Sequence, residues 1–107
     1  MNIVSIDWLE KNLENGEVII LDCSWHLPNT NRSGIQEFLK ERIPSAVFFD
    51  IDEICDKQSP YPHMMPDENY FSQKVSELGI LNNHHIITYD TLGVFSSARV
   101  YWMFKQF

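Results

Sequence analysis

Positive charge is scarce in this chain. Eight lysines and arginines stand against fifteen aspartates and glutamates, for a formal net charge of −7. A protein that tracks phosphates needs clustered basic residues, so nucleic acid is not an expected partner. The acidic residues are scattered rather than run together, which excludes an acidic tail. Cysteine is scarce too. Cys23 and Cys55 lie far apart and form no C-x-x-C, which removes zinc-ribbon and thioredoxin-like readings and leaves one disulfide open. No apolar run approaches the length that spans a membrane, so no membrane association is expected. Met1 to Asp7 lack the basic flank and long apolar core of a signal peptide. The cytoplasm, with both thiols reduced, is the expected compartment.

What is present is enough for one small domain. Of 107 residues, 44% are apolar and 13% aromatic, including Trp8, Trp25 and Trp102, which can supply a core. There is no repeat and no low-complexity linker. Ser5 can cap a first helix on which Ile6, Leu9 and Leu13 share a face, with Asp7 near its positive end and Gly16 as its stop. Val18 to Leu21 is a continuous apolar run of the kind found in strands buried on both faces. Leu27 to Asn31 is loop chemistry. Ile35, Phe38 and Leu39 mark a short helix that must end before Pro44, and Ala46 to Asp50 a second strand. Asp56 to Pro66, with three prolines, is a long irregular loop, and such loops are often functional. Asp67 can cap a helix with Phe71, Val75 and Leu78 on its buried face and Gly79 at its end. His85 to Asp90 is a third strand, and Thr91 to Phe95 a loop holding Gly93. Ser96 or Ser97 opens a last helix on which Val100, Met103, Phe104 and Phe107 follow helical spacing. Alternation of strand and helix predicts an α/β domain with a mostly parallel sheet flanked by helices. The last helix also carries Tyr101 and Trp102, so it is apolar nearly all round and expects cover on both flanks. The domain therefore reads as cut short before a last strand and helix.

Five stretches stand in a familiar order. They are Leu21-Asp22-Cys23-Ser24-Trp25-His26-Leu27-Pro28, then Arg42 to Asp52, then Ser59-Pro60-Tyr61-Pro62-His63-Met64-Met65-Pro66, then Leu78-Gly79-Ile80, and finally Tyr89-Asp90 leading through Gly93 and Phe95-Ser96-Ser97-Ala98-Arg99 into an aromatic helix. Together, over nearly the whole chain, they resemble the amino-terminal, non-catalytic domain of tandem rhodanese enzymes, the thiosulfate and 3-mercaptopyruvate sulfurtransferases. The resemblance implies a rhodanese-like α/β fold, a carboxy-terminal catalytic domain as partner, small sulfur-containing substrates, and no cofactor or metal. It implies that sulfur is carried as a persulfide on a cysteine of that other domain, at the end of the strand before the last helix. Here Asp90 holds the equivalent place, and a carboxylate cannot form a persulfide. It further implies supporting roles for Asp52 and His63 in a proton-handling network between the domains. The chain departs from the family at Ser45, where glycine is usual, at Met65, where leucine is usual, and in length.

Other residues invite sharper readings. Cys23 follows a strand with His26 near, as a nucleophile could, but Asp22 would raise its pKa, so a structural thiol is expected there and at Cys55. Adjacent His84 and His85 point to opposite sides of an extended chain and cannot easily share a metal. His26 reads as a loop histidine. Asp90 and Arg99 are expected to form an ion pair at the start of the last helix. Tyr101, Trp102, Phe104 and Phe107 read as core and domain interface rather than a ligand box. Three functions remain in view. The chain is an inactive half of a sulfurtransferase, or a stand-alone rhodanese-like binding module, or, least favoured, a self-sufficient enzyme using Cys23.

Overall fold

The computed structural model describes residues 3–92 and 96–107. The expected loop around Gly93 falls outside them in part. Helix α1 (Ile6–Lys11) leads into strand β1 (Val18–Asp22). A single 3-10 turn (Pro28–Thr30), helix α2 (Gly34–Lys40) and strand β2 (Val47–Phe48) follow. Helix α3 (Glu68–Glu77), strand β3 (His85–Tyr89) and helix α4 (Ser96–Gln106) complete the chain. The strands form one parallel sheet in the order β2-β1-β3, with Leu21 opposite Val47 and Thr88. This is the α/β architecture that the alternation predicts.

The central strand explains the two-sided core. Successive side chains of β1 point to opposite faces. Leu21 and Cys23 join Phe49, Phe71, Val100 and Met103 beneath α3 and α4. Ile20 joins Phe38, Ala46 and Ile87, with Trp8, Leu9 and Leu13 of the α1 region packed against them. Both faces are thus covered, as an apolar parallel strand requires.

Helix starts follow their caps. Ser5 Oγ accepts from the Trp8 N–H, Ser33 Oγ from Gln36, and Asp67 Oδ1 from Tyr70. Gly79, at φ +87°, closes α3. Three elements differ from expectation. Helix α1 ends at Lys11, well before Gly16, because the Asn12 amide donates to the Trp8 carbonyl and the chain turns there. Leu13 still reaches the core from that turn. On α2 only Phe38 is buried, while Leu39 is 67% exposed, since so short a helix meets the sheet at one point. Strand β2 is two residues long. Its ladder continues through the Phe49 N–H to the Asp22 carbonyl, and then the Asp50 carboxylate and carbonyl collect the N–H groups of Asp52, Glu53 and Ile54 and turn the chain. The departure at Ser45 also becomes legible, since that residue sits at φ +67°, where glycine is the easy choice.

Gly34 shows which of two opposed effects wins. In the first turn of an exposed helix, alanine would gain about 0.5–1 kcal/mol over glycine. Here a Cβ would lie 2.3 Å from the Ser24 carbonyl oxygen and 3.3 Å from the Phe48 ring. Backbone must then move, so Gly34→Ala is expected to lose about 1–3 kcal/mol overall. Urea unfolding would show this as a lower midpoint, and an unchanged midpoint would mean that α2 shifts freely.

Candidate functional site

The carboxyl ends of β1 and β3 are knitted together. The Cys23 N–H donates to the Tyr89 carbonyl at 2.8 Å. The buried Asp22 carboxylate accepts from the Ser24 N–H at 3.0 Å and from the Tyr89 hydroxyl at 3.2 Å. Thr91 N–H donates to Ser24 Oγ. Helix α4 is tied to the same edge. Ser96 Oγ donates to the Cys23 carbonyl, and Thr88 Oγ1 donates to the Ser97 carbonyl.

Asp90 follows β3 on this edge. Its carboxylate accepts from the Ser97 N–H at 2.7 Å and from the Leu92 N–H at 3.0 Å. An N–H at the start of a helix favours a negative group, and here the protein's own side chain supplies it. The expected ion pair to Arg99 is corrected by the structure. Asp90 caps backbone, whereas Arg99 donates from Nη2 to the backbone carbonyl of His63, thirty-six positions away in the chain.

Asp52 and His63 do meet. His63 Nε2 lies 2.6 Å from Asp52 Oδ1, with the carboxylate open to solvent and the imidazole largely covered. The turn after β2 presents Asp52, and the proline-rich loop presents His63. The Trp25 ring packs edge-on to the imidazole with centroids 4.7 Å apart. His63 itself adopts φ +57°, and Asp56 N–H donates to the carbonyl of the next residue, Met64. One ring nitrogen of His63 is therefore occupied by a carboxylate, and an aromatic edge sets the ring's tilt. That arrangement orients a histidine for proton exchange.

The cysteines are both free and buried. Cys23 is fully enclosed. Burial pushes its thiol well above the ordinary range, and the Asp22 and Asp90 carboxylates push the same way. Burial also raises the Cys55 thiol. Neither environment favours a thiolate. His84 Nδ1 accepts from the Leu81 N–H, while His85 packs against Trp8. His26 lies in a loop as expected, but it is only 7% exposed, with Nε2 3.4 Å from Glu37 Oε1. Trp25 and Arg99 are site residues that sequence reasoning placed in motifs without seeing their roles. Both act across long sequence separations, and nothing local announces such contacts.

Comparison with known proteins gives a consistent picture. Residues 5–107 match the family model described as the rhodanese-like domain. A thiosulfate/3-mercaptopyruvate sulfurtransferase from Arabidopsis thaliana is 47% identical over 105 residues, covering 98% of this chain and 28% of that protein. The human 3-mercaptopyruvate sulfurtransferase is 39% identical over 111 residues, covering 98% of this chain and 37% of the relative. The crystal structure of SseA from Escherichia coli, a 3-mercaptopyruvate sulfotransferase, superposes with a TM-score of 0.91 at 39% identity, covering 98% of this chain and 40% of that one. The chain thus spans less than half the length of each of these proteins.

Two expectations follow from the geometry. Cys23 should resist a thiol-reactive disulfide reagent in the native chain and react promptly in denaturant, and equal rates in both would contradict its enclosure. Burial, and behind it the neighbouring Asp22, raises the Tyr89 phenol to about 12, while its bond to the Ile43 N–H acts in the opposite direction. The unfolded value is about 10, so the folded chain binds the proton more tightly. Stability from this group should be complete below about pH 10 and fall as pH rises toward 12. Tyr89→Phe should flatten that fall in alkaline urea titrations.

Proposed function

Because the chain belongs to the rhodanese-like domain family, we propose that it is the amino-terminal half of a tandem sulfurtransferase. The whole protein would move sulfane sulfur from 3-mercaptopyruvate or thiosulfate to a thiol or cyanide. The partner half would carry the persulfide cysteine, and this half would be inactive alone. The observation that carries this reading is the end of β3. There Asp90 places a carboxylate against backbone N–H groups that could otherwise face a sulfur anion. A carboxylate cannot bond sulfane sulfur, and its charge repels thiosulfate. Neither cysteine replaces it, since enclosure keeps both as thiols.

Asp52 and His63 would serve the site shared with the partner half. The carboxylate holds Nε2, which leaves the other ring nitrogen to take or return a proton from a substrate thiol. The half-exposed Trp102 of α4 and Phe107 just after that helix would meet the partner domain. Free thiols at Cys23 and Cys55 suit a reducing compartment such as the cytoplasm, which is part of the same proposal.

The test is a sulfur-transfer assay with each donor, on this chain and on the full tandem enzyme. The chain alone should show no turnover. In the full enzyme Asp52→Asn and His63→Gln should each lower kcat with 3-mercaptopyruvate by roughly 10- to 100-fold. Turnover by the chain alone, abolished in Cys23→Ser, would overturn the proposal and make Cys23 the sulfur carrier.

A further inference from the structure

We infer that Arg99 is a positioning residue for His63: by holding the His63 backbone carbonyl, its guanidinium fixes the imidazole between Asp52 and Trp25. The inference rests on the reading of Asp52 and His63 as the proton-handling pair.

His63 sits at φ +57°, a left-handed conformation that a residue with a Cβ keeps only when its surroundings enforce it. The side-chain contacts are a weak enforcer. The Asp52 side chain is 64% exposed, and an ion pair open to water holds little. The Trp25 edge sets the tilt of the ring but leaves the backbone free to turn. The following residue is tied through the Met64 carbonyl to the Asp56 N–H, a bond within the same loop that moves with it.

Two contacts tie the His63 backbone to the body of the domain among the described residues: its N–H meets the buried Cys55 thiol, and its carbonyl is held by Arg99. Arg99 Nη2 donates to that carbonyl. Arg99 lies in the first turns of α4, and that helix is anchored at its start by three independent bonds. Ser97 N–H donates to Asp90, Ser96 Oγ to the Cys23 carbonyl, and Thr88 Oγ1 to the Ser97 carbonyl. The guanidinium is a planar fork whose direction is set by its stem, so a bond from it is directional. Arg99 Nε is buried with no hydrogen-bond partner among the described residues. A buried donor left unmatched is uncommon in folded proteins. The clamp, the guanidinium's hydrogen bond from Nη2, is aimed at the loop carbonyl. The line of support runs from the sheet, through the start of α4, into the backbone of a loop histidine.

The deciding measurement is the set of nuclear Overhauser cross-peaks between the His63 imidazole and the Trp25 indole, recorded on this chain and on Arg99→Gln and Arg99→Lys. Loss of the cross-peaks in Arg99→Gln and their retention in Arg99→Lys, with the remaining amide spectrum intact, is the expected result. Cross-peaks that persist in Arg99→Gln would overturn the clamp. Should Arg99→Gln fail to fold, the double variant His63→Gly/Arg99→Gln decides. Glycine needs no enforcement at positive φ, so recovery of the fold supports the clamp and continued unfolding overturns it. In the full enzyme Arg99→Gln should lower kcat in step with His63→Gln while leaving KM near its starting value. If His63→Gln leaves kcat unchanged while the cross-peaks still depend on Arg99, the clamp stands and the proton-handling reading falls.

Discussion

Strand β1 has a neighbour on each edge and a helical layer on each face, so its backbone and its side chains are both enclosed. Enclosure of that kind leaves no water to satisfy polar groups, and each must find a partner in the protein. The buried Asp22 carboxylate meets this demand by gathering the Ser24 N–H and the Tyr89 hydroxyl, while its own carbonyl accepts from Phe49 and so extends the pairing with β2. That single residue joins the end of β1 to β3 and to the segment leaving β2. The turns that present Asp52, Trp25 and Asp90 all start within a few residues of this junction.

Two acidic side chains on the same edge have opposite fates. Asp90 is spent on backbone, where it stabilises the start of α4. Asp52 faces solvent and spends its charge on an imidazole. Helix α4 connects the two, because the residue that Asp90 receives and the residue that holds the His63 loop are two positions apart on it. The cap at the start of α4 is thus also an anchorage for the His63 loop.

Features governed by short sequence separations were legible in the sequence. The Ser5 and Asp67 caps each span three residues, and the apolar run before Asp22 and the stop at Gly79 need no knowledge of the rest of the chain. The limits of β2 were not legible, because Asp50 side-chain and backbone groups compete with the ladder for the following N–H groups. The partner of Arg99 was misassigned for a related reason. Asp90 is near it in sequence and opposite in charge, yet Asp90 already had helix N–H groups to serve, and the proline-rich loop delivered a carbonyl that no local pattern reveals. The pairing of Asp52 with His63 could be suspected from resemblance, whereas the Trp25 edge that sets the ring's tilt could not.

The placement of β1 at the centre has a consequence for the chain while it is being made. Residues that end next to one another, Asp22 and Tyr89, are 67 positions apart, and β3 is the last of these three strands to emerge. Closing so long a loop costs entropy before any contact returns it, and parallel pairing offers no hairpin to begin from. Until β3 arrives, the most hydrophobic strand has one edge unpaired and open to other chains. The strand enclosed on every side in the finished molecule is therefore the one whose second edge is paired late, and the net charge of −7 works against close approach of two copies in the meantime.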